Sequence, residues 1–376
     1  MLSVFEVLTN KDKKRFFKFP IDLYRTSSYY VPSLISDEMD TFDPNKNGAY
    51  SYAESRLWLA ERNGKIVGRI GAILNHAANK KNRAKQLRYT RFDFIDDYEV
   101  SKALFNTALS WAIELGMTEM IGPLGFTNMD KQGMLIDGFN QMDMYITIYN
   151  YPYYVSHMEK LGLTKKWDWD EMIIKVPKTI PDKVERVANI AMNRFGYSIK
   201  RFHSMSEIKP YIKEAIRVIN SAFEKLHGVV PLTDKQISSL SKLVMLVGKP
   251  DYTLMVTNVD RQLVGFGFFA PSVSRAMRLS KGRMGIRTII NLIRDLHDNR
   301  HIDFYLIGVR PEDQNKGVEA LILREGIKNL NKNGAIDTQT GPMLEDNHNI
   351  QNGFKNFDYQ YHRHRRCYSY IIPEDD

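Results

Sequence analysis

The chain has 376 residues, 43% of them hydrophobic, a formal net charge of +9 and a single cysteine. That length suits two domains at a prior of ~150 residues each, and the composition excludes a disordered chain or a fibre. Cys367 alone excludes an internal disulfide and argues against a cysteine-rich zinc site, while the excess of Lys and Arg favours anionic partners such as acidic lipid or RNA.

In chain order, no run approaches the ~18 apolar residues of a spanning helix. The N-terminal stretch MLSVFEVLTNKDKKRFFKFP has no long apolar core and no small-residue cleavage site, so a cytoplasmic location is expected. Lys11 to Tyr24 reads as an amphipathic, basic lead-in, and the first core begins near Ser51. Leu57 to Gly71 alternates apolar and polar residues around Asn63-Gly64, a strong hairpin signal. A helix over Glu99 to Gly116 follows, then GMTEMIGPL. Ile121 to Tyr154 is glycine-rich and aromatic; Phe126, Phe139, Tyr145, Tyr149 and Tyr153 are the expected lining of an acceptor pocket, the alternative being an aromatic lid over the sheet. Lys175 to Asp182 (KVPKTIPD) carries two prolines and no strong periodicity, as a linker does.

Beyond it, the pattern predicts a helix over Asp182 to Phe195, a strand over Tyr197 to Phe202, and a helix over Ser206 to Leu226 with Ile208, Ile212, Ile216 and Ile219 on one face. Leu254 to Gly267 repeats the first hairpin's layout, with Val264-Gly265 in the place of Val67-Gly68. Pro271 to Arg300 interrupts this half with Arg275, Arg278, Lys281, Arg283 and Arg287 set among apolar residues, a pattern that fits an RNA or acidic-lipid contact or a solvated helix face. Phe304 to Val309 is rich in β-branched and aromatic residues and predicts a strand. A helix over Gly317 to Asn331 then leads into GAIDTQTGPML, so Gly341-Pro342 matches Gly122-Pro123, and Asn347 matches Asn150. Three matches in one order imply a tandem duplication. The expected fold class is α/β, a mixed sheet with α+β character, arranged as domains 1–174 and 183–376 about a linker at 175–182.

Val309 to Glu325, VRPEDQNKGVEALILRE, is a strand end, a polar loop with one glycine, and a helix. Backbone N–H groups at such a helix start, aided by its dipole, attract phosphate. The segment resembles the acyl-CoA pyrophosphate loop of the GNAT (Gcn5-related N-acetyltransferase) superfamily, Q/R-x-x-G-x-G/A, at Gln314 and Gly317, with Glu319 where the family has Gly or Ala. A carboxylate there repels phosphate. The matching loop of the first half, Asp96 to Ser101, has three carboxylates and no glycine. It suits a helix cap and not a donor site.

With FPIDLYRTSSYYVPSLISDE, LAERNGKIVGRIGAILN, WAIELGMTEMIGPLGFTNMDKQGMLIDGF and LEDN, nearly the whole chain resembles bacterial tandem-GNAT proteins of the YghO-like kind. The resemblance implies two tandem GNAT-like acyl-CoA N-acyltransferase folds and transfer of an acyl group from acetyl-CoA or another acyl-CoA to a small-molecule or peptide amine, without a metal. It also implies that Val309, Gln314, Asn315, Lys316, Gly317, Val318 and Ala320 bind the donor and that Asn347 orients its pantetheine arm or the local loop. Glu345 is the expected base. The family's acid tyrosine falls on Phe354 in one half and Met158 in the other, which leaves Tyr359, Tyr361 or Tyr368 to protonate the leaving thiolate. His362 and His364 are candidate proton shuttles. Two other readings stay open, an aminoacyl-tRNA-dependent transferase of tandem GNAT type and a catalytically degenerate binding module.

Overall fold

A computed structural model describes residues 1–224, 226, 228–347, 353–355 and 357–373. Contacts gather them into two compact units, Met1–Asp170 with Ser274–Asn291 and His362–Asp376, and Glu171–Val273 with Leu292–Tyr361. The change at Asp170 to Glu171 lies just before the expected linker at 175–182. Two segments expected inside 183–376 pack with the first unit instead.

The first unit opens with β1 (Leu2–Glu6), α1 (Asn10–Leu23) and α2 (Ile35–Thr41), followed by β2 (Ala53–Arg62), β3 (Lys65–Asn75), α3 (His76–Asn82), β4 (Gln86–Phe94), α4 (Tyr98–Glu114), β5 (Glu119–Gly122), β6 (Met134–Asp137) and α5 (Tyr153–Lys160). Strand β7 (Thr164–Lys175) passes into the second unit. The β2–β3 hairpin closes on Asn63 and Gly64, both at positive φ (51° and 75°), the conformation its Asn-Gly turn predicts. The sheet β1-β2-β3-β4-β5 is antiparallel except for the parallel β4–β5 pair, and α4 lays Leu104, Phe105 and Trp111 on it.

The second unit holds α6 (Asp182–Phe195), β8 (Ser198–Lys200), α7 (Met205–Ile208), α8 (Ile212–Ala222), α9 (Asp234–Val247), β9 (Thr253–Thr257) and β10 (Leu263–Pro271). After α10 (Ser274–Ser280) and α11 (Ile286–His297) come β11 (His301–Val309), α12 (Val318–Lys332), β12 (Asp337–Thr340), β13 (Met343–Leu344) and β14 (Tyr359–Ile371). Its strands run β8-β9-β10-β11-β12, closed by the Ile173 to Lys175 end of β7. The far end of β14 pairs Tyr368 to Ile371 with β5 of the first unit, to which that segment belongs.

The expected helix over Ser206 to Leu226 is two helices. Pro210 lacks an N–H to donate and its ring crowds the preceding turn, so α7 stops at Ile208 and α8 starts at Ile212. The four isoleucines are nonetheless all buried.

The repeat has a physical signature. A Cβ on Gly68 would lie 2.6 Å from Leu104 Cδ1 of α4, and one on Gly265 would lie 2.6 Å from Val318 Cγ1 of α12. Each half presses its hairpin onto the helix that follows the parallel strand, and a side chain at that glycine would hold the two apart.

Candidate functional site

The second unit leaves one strand half-paired. β11 runs beside β10 from Ile302 to Val309 but beside β12 only from His301 to Phe304. β12 ends at Thr340, and Gly341 N–H donates to Phe304 C=O at 3.1 Å. Tyr305 is the extra residue of a bulge opposite Phe268 and Phe269. Arg310 N–H donates to Val264 C=O at 2.9 Å, so Val309 and Gly265 face each other without exchanging hydrogen bonds. By the alternation of an antiparallel ladder, the N–H and C=O of Val309, and of Ile307 two residues earlier, point to the side that β12 has left. Among the described residues, the partner found there is Gln314, whose Nε2 donates to Val309 C=O at 3.2 Å.

The loop beyond is built from a short turn, Pro311–Asp313, and two left-handed residues, Asn315 (φ 60°) and Gly317 (φ 84°). A Cβ on Gly317 would meet Val187 C=O of α6 at 2.9 Å, so this glycine is needed both for the turn and for α6 behind it. Arg324 of α12 ties α6 in place, donating to Asn189 Oδ1 at 3.0 Å and Glu185 Oε1 at 3.3 Å. No side chain of the N-cap residue closes α12, and the first-turn N–H groups of Val318, Glu319 and Ala320 have no carbonyl within the helix to bond. Val318 is buried under Gly265, whereas Ala320 packs at the edge of the core. Lys316 Nζ stands 3.9 Å from Asp313, which accepts the Tyr197 hydroxyl at 2.6 Å. Glu319 is the misfit. Burial raises its pKa, and its own backbone N–H is the group that eases its charge. The carboxylate thus lies in the first turn of α12, where a phosphate would seek its N–H donors.

In the first unit the equivalent gap is filled. β4 pairs with β5 only from Gln86 to Arg88, and Ile95 N–H donates to Val67 C=O at 3.0 Å, which turns Phe94 outward as Val309 is turned. Phe94 N–H donates to the Tyr154 hydroxyl at 3.0 Å, and Phe94 C=O accepts the Tyr153 hydroxyl at 2.5 Å. At the helix start, Asp97 accepts Glu99 N–H at 3.0 Å, while Arg62 donates to both Asp97 and Glu99 at 2.6 Å. His157 bridges Ser101 (2.8 Å) and Asp96 (3.1 Å). The acidic loop is a cap with its own counter-ion.

The other expected residues lie as follows. Glu345 and Asn347 follow β13, in a turn where Asn347 N–H donates to Leu344 C=O at 3.0 Å. Tyr359 opens β14, its ring centroid 5.6 Å from that of Tyr361. Phe354 is buried 6.1 Å from Phe304, and Met158 is buried in the core of the first unit. Tyr368 belongs to the first unit.

Of the five aromatic residues, Phe126 belongs to one core cluster and Tyr149 to another, against which Phe139 and Tyr153 pack. Phe126 packs on Phe42 and Tyr50, Tyr149 on Tyr24 while bonding Phe139 C=O, and Tyr153 fills the gap at Phe94. Tyr145 alone stands by a polar cluster, donating to Asp37 at 3.3 Å with Lys131 Nζ 5.1 Å from its ring centroid. His364 is engaged as an ion-pair partner, Nδ1 at 2.6 Å from Asp170 and Nε2 at 2.9 Å from Asp168, and these raise its pKa.

The sequence reading missed that polar cluster. Burial opposes the charge on Glu38, but Arg91, at 2.8 Å, holds its carboxyl down at about 2. Burial pulls the Lys131 ammonium down to about 8, against Glu38 and Asp143, and Asp143 in turn accepts from buried Arg365 at 2.7 Å. Groups so displaced concentrate at functional sites as well as in structural ion-pair networks. Glu38, Arg91 and Lys131 come from α2, β4 and the loop before β6, so no local spacing announces them.

Comparison with known proteins sets this geometry in context. No family model matches the chain. Protein YghO of Escherichia coli (strain K12) is 26% identical over 377 residues, covering 96% of this chain and 93% of that protein. A tandem GNAT protein from the clavulanic acid biosynthesis pathway superposes with a TM-score of 0.56 over 100% of both chains, at 11% identity. The chain has a tandem GNAT fold and is similar in sequence to YghO along nearly its whole length. A GCN5-related glucosamine N-acetyltransferase region of a fungal multi-domain β-N-acetylglucosaminidase shares the fold at TM-score 0.54 and 12% identity, over 98% of this chain and 38% of that one. Bacterial ceramide synthase of Caulobacter vibrioides (strain NA1000 / CB15N) is 25% identical over 285 residues, 75% of this chain and 73% of that protein.

Gly317→Ala should destabilise the second unit by about 1–3 kcal/mol, the cost of a strained left-handed residue, with the clash at Val187 C=O added. Urea unfolding measures it, and a loss under about 0.5 kcal/mol would show that the turn relaxes freely.

Proposed function

We propose that this protein is an acyl-CoA-dependent N-acyltransferase whose donor lies along the open edge of β11, with its pyrophosphate at the start of α12. The observation that carries the reading is the contrast between the two halves. Ile307 and Val309 present backbone groups to the gap left by β12, whereas Phe94 in the first unit has its groups taken by Tyr153 and Tyr154. A pantetheine arm bears two amides at the spacing of an extended chain and can complete such an edge as an added strand does.

The fit is good except at Glu319. Gln314, Asn315, Lys316 and Gly317 form the turn, Lys316 supplies a cation, and Val318 and Ala320 supply N–H donors. The diphosphate must turn the Glu319 carboxylate away from its own N–H or bind it protonated. By linkage, an anion next to this carboxyl raises its pKa further, so binding takes up a proton and strengthens as pH falls. Between about pH 8 and about pH 5.5, CoA affinity measured by calorimetry should rise more for the natural protein than for Glu319→Gln. At the upper end Glu319→Gln should bind about tenfold tighter, the worth of one ~1.4 kcal/mol charge interaction. Parallel pH profiles would place the diphosphate elsewhere.

The transfer itself balances simply. The amine nitrogen attacks the thioester carbon, the C–N bond forms, the C–S bond breaks, and the thiolate takes a proton while the amine loses one. Glu345 receives the amine proton, Asn347 orients the arm, and Tyr359 protonates the sulfur. Positioning and polarisation of the carbonyl supply the rest of the acceleration. The likeness to a protein named for ceramide synthesis supports a long-chain amine as acceptor and a fatty acyl group as donor. Incubation with acyl-CoAs of graded length and long-chain amines, read by thiol release and amide mass, tests this. Glu345→Gln and Tyr359→Phe should each lower kcat by about 10²–10⁴ with little change in CoA affinity. Absence of amide with every pair, in a protein that binds CoA, would leave a binding module.

A further inference from the structure

Helix α11 is folded inside out. Ile286, Ile289, Ile290 and Ile293 fall on one face by helical spacing, and they are 79%, 48%, 51% and 53% exposed, while Thr288 and Asp295 on the opposite side are buried. An amphipathic surface helix ordinarily turns its apolar stripe to the core. Leu279 and Met284, in the segment just before, are also about half exposed. So many exposed aliphatic side chains within one short segment of a folded protein mark a site that something else covers.

The charge around it specifies the cover. From Ser272 to Arg294 the chain carries six basic residues and no acidic one. Lys281, Arg283 and Arg287 are exposed beside the isoleucines. The segment is fixed rather than dangling. Gly282, left-handed at φ 74°, accepts Ile35 N–H at 2.9 Å, a Cβ on it would meet Ile21 at 2.4 Å, and Arg278 donates to Ser28 C=O at 3.2 Å. The first unit, which holds this segment as far as Asn291, therefore presents a preformed platform of aliphatic side chains flanked by cations.

We propose that Leu279 to Ile293 is a membrane-interface segment by which the protein docks peripherally on an anionic lipid surface. Isoleucines enter the boundary between headgroups and acyl chains, and Lys281, Arg283 and Arg287 meet the phosphates, the pairing of apolar face and basic flank that interfacial helices use. RNA fits less well, because this surface offers no aromatic ring for stacking and its centre is aliphatic. The inference stands on this surface alone and does not depend on the acyl-transfer reading.

The full chain is sedimented with vesicles of phosphatidylcholine alone or with about 30% phosphatidylglycerol. It should partition at least about tenfold more strongly to the anionic vesicles and be released by about 0.5 M salt. I286E/I290E, which changes only exposed side chains, should lose that binding with an unchanged melting temperature. R283E/R287E should lose the preference for anionic lipid, and Ile290→Cys carrying an environment-sensitive dye should shift to the blue on vesicles. A protein that stays in the supernatant with both vesicles, or I286E/I290E bound as well as the natural chain, overturns the proposal. So does a dimer, seen by light scattering, that I286E/I290E splits, since a second copy would then cover the face.

Discussion

A backbone group that has left its partner strand must find another partner, and both halves of this protein turn on how that demand is met. In each, a strand begins parallel to its neighbour and then runs on alone, after Arg88 in one half and after Phe304 in the other. Unpaired N–H and C=O groups in a sheet are costly when buried and inviting to any extended ligand when open. The first half satisfies them internally with the hydroxyls of Tyr153 and Tyr154. The second engages only Val309 C=O, through the Gln314 side chain, and leaves Ile307 and the Val309 N–H to whatever enters. One duplicated architecture thus yields a closed copy and an open one, and the difference lies in two side chains of a helix rather than in the fold.

The start of the following helix tells the same story. In the first half Asp97 caps the helix and Arg62 neutralises the acids, so no further anion is wanted. In the second half nothing from the N-cap residue closes the helix, and Glu319 sits over its own N–H, buried enough that its charge is disfavoured. The departure from the phosphate-loop pattern is therefore not simply a lost residue. It makes anion binding compete with an internal carboxylate and couples that competition to pH.

Much of the fold was legible because local rules act alone there. Asn63-Gly64 fixes a turn, and Gly317 marks a left-handed residue before an uncapped helix. The break at Pro210 could have been read and was overridden by the run of isoleucines around it. The parting of β11 from β12 is implied by the resemblance to GNAT proteins but is not legible in composition, since Phe304 to Val309 reads the same whether one or both edges are paired. Nor were the tyrosine hydroxyls at Phe94, or the cluster of Glu38, Arg91 and Lys131, because distant segments bring them together. The aromatic residues of the 121–154 stretch carry a related ambiguity. Aromatic richness signals burial and a binding surface equally, and here most of them serve packing.

Hydrogen exchange at single-amide resolution, with and without CoA, tests the central claim most directly. The open-edge account predicts that CoA slows exchange at Ile307, Val309, Val318 and Ala320 and leaves Phe94 unchanged. Protection at Phe94, or none at Ile307 and Val309 under saturating CoA, would contradict it.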